Sequence, residues 1–309
     1  MSSISLRMRR TSARKSAAAP GDAHAARRAY VLLAPGVLLF LIIVMWSILQ
    51  TFWRSFYIWD GVTEPIWTGF DNYRAIYHDP LVRASLAHSA ILIIFTCVIP
   101  VTIGLTLAVL LSRAQRRGMA FFRTLLFTPQ VLSGIAVGII WKWMYDPTDG
   151  PINRAFVSIG VPDLAQPWLG DFSLALPAIG IIGTWVTMGL CVVLLLAGIQ
   201  KIPPSLYDAA RVDGAGWFAE LRAVTLPGLR NEMLVATTLT LIIALRIFDI
   251  VFVTTKGGPG DATYVPTLWI YLEAFQYGIV GSAAALAVVL TIIIMTVSIG
   301  INRAGERNR

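Results

Sequence analysis

Cysteine, histidine and charged residues are all scarce in this chain of 309 residues. It has two cysteines and three histidines, and only 14% of its residues are Asp, Glu, Lys or Arg. Cys97 and Cys191 both lie inside apolar blocks, so neither a disulfide framework nor a thiolate metal site is indicated. The histidines are far apart and show no HExxH spacing, which argues against a zinc enzyme.

Apolar residues are abundant and come in long blocks. They make up 56% of the chain, and the mean hydropathy is +0.70. Uncharged runs of at least 18 residues, long enough to span a bilayer, occupy 29–53, 84–112, 124–141, 172–200 and 274–302. A sixth run is interrupted only by Arg246 and Asp249, which we expect on one helical face turned towards protein or water. Such runs exclude a soluble enzyme, a secreted disulfide scaffold and a disordered tail protein, and they are too long for barrel strands.

We therefore predict an all-α polytopic membrane protein with six transmembrane helices in a domain that covers residues 29–302. The approximate spans are 30–53, 86–112, 122–145, 173–199, 233–255 and 278–301.

The distribution of Lys and Arg predicts the orientation. Of the 25 basic residues, 18 lie in the N-terminal tail, the turn after the second span, the loop after the fourth span and the C-terminal tail. Because cytoplasmic segments retain positive charge, both termini are predicted to be cytoplasmic, with disordered tail 1–28 and short tail 303–309. A cleaved signal peptide is the alternative for the first run, but the run is too long for one. The basic residues flank apolar blocks, so we expect them to contact lipid headgroups and not nucleic acid.

No catalytic motif is present. The chain lacks a phosphate-binding P-loop, so any nucleotide hydrolysis has to take place on another subunit. A polytopic membrane enzyme would show clustered catalytic polar residues within its spans, and this sequence has none.

One segment outside the predicted spans, 202–229, reads IPPSLYDAARVDGAGWFAELRAVTLPGL. Pro204 can open a helix, and Gly214 permits the turn that ends it. An amphipathic stretch begins near Trp217, and Pro227 is expected to stop it. This pattern predicts a helix, a turn and a second helix at the membrane surface, which fits an ordinary interfacial loop as well as a docking segment.

The exact residues favour docking, because the segment resembles the cytoplasmic EAA loop of permease subunits in bacterial binding-protein-dependent ABC importers. That family's pattern is Glu-Ala-Ala-x-x-x-Gly, followed by a spacer and an apolar-x-Leu-Pro ending. Here the pattern begins at Asp208, contains Gly214 and ends at Pro227. Asp208 replaces the first Glu, which shortens a carboxylate without removing it.

Further stretches resemble the carbohydrate-importer branch, in the style of the maltose and glycerol-phosphate permeases. They are 30–35, 69–73, 122–129, 141–145, 150–153, 248–249, 255–259, 263 and 277–278. The resemblance covers nearly the whole chain after residue 28.

This resemblance implies an ABC importer type I permease fold in a bacterial inner membrane, and a division of labour. Such a permease pairs with a second homologous permease, binds two ATP-binding subunits, and receives a sugar or sugar-like solute from an external substrate-binding (lipo)protein. ATP and magnesium would be held by the ATPase, while this chain would bind no cofactor and catalyse no reaction. The residues expected to couple the chain to the ATPase are Asp208, Ala209, Ala210, Asp213, Gly214 and Pro227.

A path for a neutral sugar needs hydrogen-bonding groups and aromatic faces within the spans. The candidates are Trp185, Thr187, Met188, Arg246, Phe248 and Asp249. Trp185 and Phe248 also fit helix packing or an interfacial belt. Arg246 and Asp249 also fit a structural ion pair, because an isolated central charge costs roughly 2.5 to 3.5 kcal/mol on insertion scales.

Two other functions remain open on the sequence. An ion-coupled secondary transporter would need more embedded carboxylates or a visible repeat. An ABC permease for a non-sugar solute, such as a glycerol phosphodiester, would share the EAA loop. The external loops are acidic, which favours a neutral solute.

Overall fold

The computed structural model describes residues 22–113 and 118–306. Most of the predicted N-terminal tail (1–21), Arg116 and Arg117 after the second span, and the last residues, 307–309, lie outside the described residues. The chain divides into two units, residues 1–50 and 51–309.

The described part of the first unit is helical. Helix α1 is Asp22–Phe40, a π-helical turn covers Leu41–Met45, and α2, Trp46–Arg54, begins in this unit and ends in the second. Together they give the continuous stretch Tyr30–Arg54, which is long and apolar enough to cross a membrane.

The second unit is helical apart from one short hairpin. Strands β1 (Tyr57–Ile58) and β2 (Ile66–Trp67) pair antiparallel with Tyr57 opposite Trp67, a small exception to the all-α prediction. The helices that follow are α3 (Asp71–His78), α4 (Pro80–Ile93), α5 (Ile99–Arg113), α6 (Met119–Val131), α7 (Gly134–Met144), α8 (Pro151–Ser158), α9 (Ala175–Ile199), α10 (Pro204–Val212), α11 (Trp217–Glu220), α12 (Leu226–Gly228), α13 (Arg230–Leu245), α14 (Asp249–Thr254), α15 (Pro266–Tyr271) and α16 (Val280–Glu306). Single π-helical turns cover Ile94–Val98, Leu221–Thr225 and Leu272–Gln276, and a 3-10 turn covers Pro162–Leu164.

The prediction of a mostly helical chain with several membrane-length helices is confirmed. In the described residues, five stretches are long and apolar enough to cross a membrane: Tyr30–Arg54, Pro80–Ser112, Ala175–Ile199, Arg230–Thr254 and Val280–Gly305. A sixth span is obtained if the bent pair of α6 and α7 counts as one.

That bent pair corrects the prediction of a single helix over 122–145. The helix Phe121–Val131 and the helix Gly134–Met144 differ in direction by 99°. Leu132 and Ser133 between them are extended, with ψ of 146° and 137°. Pro129 withholds one backbone donor from the last turn of α6, and serine is favoured directly before a helix start, so the chain bends here although the run stays uncharged.

Helix α9 packs against α5, α6 and α13. Its close contacts depend on glycine, because a Cβ on Gly189 would lie 1.9 Å from the carbonyl oxygen of Leu126 in α6. The largest apolar core cluster includes Ile179 and Ile182 of α9 together with Val251 of α14. α9 thus contacts both helical segments that are interrupted, α6 with α7 and α13 with α14.

Candidate functional site

A cavity of about 320 Å³ lies where α9 meets the two interrupted helices. Gln130 comes from the last turn of α6 and Leu132 from the break after it, Thr187 comes from α9, and 246–250 cover the break between α13 and α14 and the start of α14. Helix ends carry backbone N–H and C=O groups that no residue of the same helix satisfies. The breaks therefore bring polar backbone into an otherwise apolar layer.

Four of the six predicted path residues line this cavity, namely Thr187, Arg246, Phe248 and Asp249. Trp185 instead packs against the core, with its ring 5.7 Å from that of Trp141. Met188 lies on α9 outside the lining. The Thr187 hydroxyl donates to the carbonyl oxygen of Gly183 at 2.8 Å, so backbone already engages it.

Arg246 and Asp249 do not share a helical face, and the prediction that they would is wrong. α13 ends at Leu245 and α14 restarts at Asp249, so the two residues flank a break. The ion pairs of the described residues do not include this one. A Cβ on Gly134 would lie 2.7 Å from Asp249 Oδ2, so glycine leaves the space that this carboxylate occupies.

Gln130 is a cavity residue that the sequence analysis missed. Its Oε1 is buried and has no hydrogen-bond partner within the described part of the chain. An unpaired buried carbonyl of this kind is costly and is most simply satisfied by a ligand or water. The one sequence feature that pointed to Gln130 is a polar amide directly after Pro129, within a run of uncharged residues. No three His, Cys, Asp or Glu side chains are grouped to hold a metal in residues 22–113 and 118–306.

The second candidate site is the segment from α10 to α12, called here the 204–228 hairpin. Gly214 adopts φ +78°, a left-handed conformation that glycine takes without strain. Its N–H donates to the carbonyl oxygen of Arg211 at 3.0 Å, and the Ala215 N–H donates to that of Ala210 at 2.9 Å. These bonds form a Schellman motif, which ends α10 and turns the chain back.

The predicted coupling residues lie on the outside of the hairpin. The exposed ones are Asp208, Ala209, Asp213, Gly214 and Pro227, and Ala210 is half-buried. On the inner side, Tyr207, Leu221 and Val224 pack against an apolar cluster that includes Val109 of α5 and Leu195 of α9. The hairpin thus leaves one face exposed and packs the other on two long helices.

Pro227 does not end the second helix of the hairpin, contrary to the prediction. The π-helical turn Leu221–Thr225 precedes it, and the chain stays helical through Gly228. In that turn the Leu226 N–H donates to the carbonyl oxygen of Leu221, five residues back. The wider turn relaxes the α-helical bonding pattern in which a proline ring clashes.

One carboxyl group away from both sites is buried. Glu273 is only 7% exposed, its Oε1 accepts a hydrogen bond from the Ser282 hydroxyl at 3.1 Å, and its Oε2 has no partner among the described residues. Burial raises the pKa of Glu273, and the nearby charge of Asp79 raises it further.

Comparisons with known proteins converge on one family. Residues 100–308 match the family described as "Binding-protein-dependent transport system inner membrane component". The "Probable ABC transporter permease protein YurN" of Bacillus subtilis is 33% identical over 272 residues, which cover 87% of this chain and 93% of that protein. The "Trehalose/maltose transport system permease protein MalF" of Thermococcus litoralis is 30% identical over 296 residues, which cover 92% and 95%.

A solved structure has the same fold. It is described as a "bacterial alginate ABC transporter in complex with alginate pentasaccharide-bound periplasmic protein". It superposes with a TM-score of 0.78 at 20% identity, over 93% of this chain and 96% of that one.

Proposed function

The chain belongs to the family of inner membrane components of binding-protein-dependent transport systems, and from this premise we propose that it forms, with a second permease, the path by which an ATP-driven importer takes up a sugar or sugar-like solute. An external binding protein delivers the solute. Two ATP-binding subunits carry ATP and magnesium, and this chain binds no cofactor of its own.

Carbohydrate is the solute class that the relatives favour. A relative covered over 95% of its length is a trehalose/maltose permease, and the solved neighbour is bound to a protein that holds an alginate pentasaccharide. The cavity is consistent with this class, because Phe248 offers an aromatic face and Gln130 offers a hydrogen-bonding amide. Sugars are bound by such combinations of apolar faces and a few polar groups.

The observation that carries the proposal is the position of the cavity. It lies between four of the membrane-length helical segments, at the two points where such segments are interrupted, and Thr96 of the stretch Pro80–Ser112 is part of its lining. Irregular backbone at membrane depth is tolerated where it is buried in protein or lines a water-filled cavity. A route for a hydrophilic solute is a direct reason for both interruptions.

The 204–228 hairpin is proposed as the contact with the ATP-binding subunits. The chain has no P-loop, so the energy of hydrolysis has to reach it from outside. The hairpin offers an exposed carboxylate, Asp208, on a helix whose small side chains Ala209 and Ala210 let a partner approach closely.

For the topology we propose six spans and two cytoplasmic termini, with α6 and α7 as the third, broken span. The coupling loop 202–229 and the tails 1–28 and 303–309 would then share the cytoplasmic side. The excess of Lys and Arg in these segments supports that arrangement.

The first experiment is affinity purification of the tagged chain from its native membrane in mild detergent, with mass spectrometry of what accompanies it. We expect one second permease and two copies of an ATPase, and we expect Gly214→Pro to lose the ATPase, because proline cannot adopt φ +78°. The matched control is Gly216→Pro, since φ of Gly216 is −73°, within the range of proline.

A chain that is recovered alone, or as a homo-oligomer, would refute the proposal and favour an ion-coupled carrier. Uptake by the reconstituted complex then identifies the solute class. Transport of a glycerol phosphodiester in preference to oligosaccharides would replace sugar as the solute while leaving the importer in place.

A further inference from the structure

We propose that the ion pair between Arg211 and Glu220 braces the 204–228 hairpin, so that a movement imposed on α10 is passed on to the membrane helices. The two side chains are positioning residues for energy coupling and do not themselves bind solute. The inference rests on the proposed function, because it takes the hairpin as the contact with the ATPase.

The two arms of the hairpin are joined by two side-chain bonds. The Nε–H of Arg211 in α10 donates to Oε1 of Glu220 in α11 at 3.0 Å. Nearer the membrane helices, the Tyr207 and Thr225 hydroxyl oxygens lie 3.1 Å apart. The arms are otherwise connected by the turn around Gly214 and by the apolar cluster that Tyr207, Leu221 and Val224 share.

The pair of Arg211 and Glu220 lies where a charge-assisted hydrogen bond is strong. The Glu220 side chain is 5% exposed, whereas that of Arg211 is 58% exposed. A carboxylate shielded from water interacts more strongly with a guanidinium than a surface carboxylate does. Conversely, removing one member of such a pair is costly, because the other has already lost its hydration.

The same guanidinium also orders the carboxylate expected to meet the ATPase. Arg211 Nη1 lies 3.2 Å from Asp208 Oδ1, one helical turn earlier, and both side chains are more than half exposed. Such an exposed pair stabilises little by itself. The pair does, however, position Asp208, because Arg211 links it to the buried Glu220 in the other arm.

A cavity of about 590 Å³ lies between the hairpin and the ends of two membrane helices. It is lined by Tyr207, Asp208 and Arg211 on the hairpin side, and by Ser112 and Gln200 at the ends of α5 and α9. At Asp208 and Arg211, α10 therefore faces open space, whereas Tyr207 of the same helix packs against the cluster that contains Val109 of α5 and Leu195 of α9. A push on Asp208 and Arg211 reaches the second arm through the two side-chain bonds.

The second arm contributes two side chains to the packing of the hairpin against the membrane helices. Leu221 and Val224 pack against the cluster that contains Leu195 of α9 and Leu229, directly before α13. α13 leads in turn to the break at 246–248, which lines the solute cavity. The brace thus lies on a continuous series of contacts from the exposed hairpin to that cavity.

The test compares Glu220→Ala, Glu220→Gln, Arg211→Ala and the double alanine variant in the complete transporter, reconstituted in lipid vesicles. We expect Glu220→Ala to lower the kcat of uptake about tenfold, the equivalent of one charge-assisted hydrogen bond. The KM for solute-loaded binding protein should stay unchanged, and the ATPase should still co-purify. Deuterium exchange of amides 204–228 should be faster.

Two comparisons separate a brace from general damage. Glu220→Gln keeps an acceptor for Arg211 and should retain uptake within about threefold. The double variant should lose less than the sum of the two single losses, because Arg211 and Glu220 share one bond. Asp149→Asn, which removes the exposed ion pair with Arg154 elsewhere in the chain, is the control and should leave uptake unchanged.

Full uptake by Glu220→Ala would overturn the brace, and so would losses that add in the double variant. Loss of the ATPase from Glu220→Ala in proportion to uptake would make the pair a docking contact and would also overturn it. Failure of the proposed function is distinguishable from these results, because the unaltered chain would then bring down no ATPase.

Discussion

Replacing Gly189 by alanine tests how closely α6 and α9 approach each other. The new Cβ would lie 1.9 Å from the Leu126 carbonyl oxygen and 2.9 Å from the Phe127 Cα, both in the backbone of α6. Contacts under 3.0 Å are essentially never made by real Cβ atoms, so the two backbones would have to separate by about an ångström. A backbone atom cannot rotate away as a side chain can.

The expected cost follows from two opposed effects. Overpacking of a filled interior costs about 1–3 kcal/mol, and we expect the upper part of this range because backbone is displaced. Alanine is the better helix former by about 1 kcal/mol, which offsets part of the loss. A net loss of about 2 kcal/mol lowers the melting temperature of a chain of this size by about 4–8 °C.

The assay is the fraction of the detergent-solubilised chain that stays monodisperse after heating, measured by size-exclusion chromatography. Gly300→Ala in α16 is the matched control, because a Cβ at that position meets nothing within 4 Å. It should melt at the temperature of the unaltered chain or slightly above. If Gly189→Ala melts with the control, α6 and α9 are not in backbone contact, and the position of the cavity between them would have to be revised.

Three further predictions concern a buried acid, a buried amide and the cavity. Burial raises the pKa of Glu273 above its ordinary 4.5, so the folded chain loses stability as the pH rises from 4.5 through this raised pKa. Glu273→Gln should therefore raise the melting temperature at pH 8 more than at pH 5. Equal shifts of the melting temperature at both pH values would contradict this. The Asn72 amide donates to the carbonyl oxygens of Ser55 and Tyr57, each at 2.9 Å. Asn72→Leu should therefore lose about 1–3 kcal/mol of stability in the same heating assay. Arg74→Gln, at an exposed position, is the control and should melt at the temperature of the unaltered chain. Gln130→Leu should raise the KM of uptake about tenfold with ATPase binding unchanged, and an unchanged KM would remove Gln130 from the solute contacts.

The helical character of the chain was predictable, because lipid demands it. A long uncharged run has to satisfy its backbone internally, and this leaves helices as the simple solution. The turn at Gly214 was predictable for a similar local reason, since two glycines after a helix that opens at Pro204 favour a reversal.

The two helix breaks were not predictable in the same way. Leu132 and Ser133 leave the run uncharged, and Arg246 and Asp249 have a spacing that suits one helical face. In both places the interruption depends on the helices packed around it. Periodicity describes one helix and carries no information about its neighbours.

The same limit applies to which of the candidate residues line the cavity. Phe248 and Trp185 are both aromatic residues that pack against the same core cluster, yet of the two only Phe248 also lines the cavity. Gln130 was missed because a single amide in an apolar run carries no motif. Pro227 was misjudged because the effect of a proline depends on the turn before it, and here that turn is π-helical.

The interruptions at 132–133 and 246–248 have a consequence for how the solute preference of such a chain changes over time. The backbone groups at these interruptions are the same whichever amino acids occupy those positions. Selection can therefore exchange the side chains around the cavity one at a time, and alter which hydroxylated molecule fits, without abolishing its capacity to accept hydroxyl groups. In the proposed importer, the fold would keep the general affinity for hydroxylated solutes, and the side chains would set the preference among them.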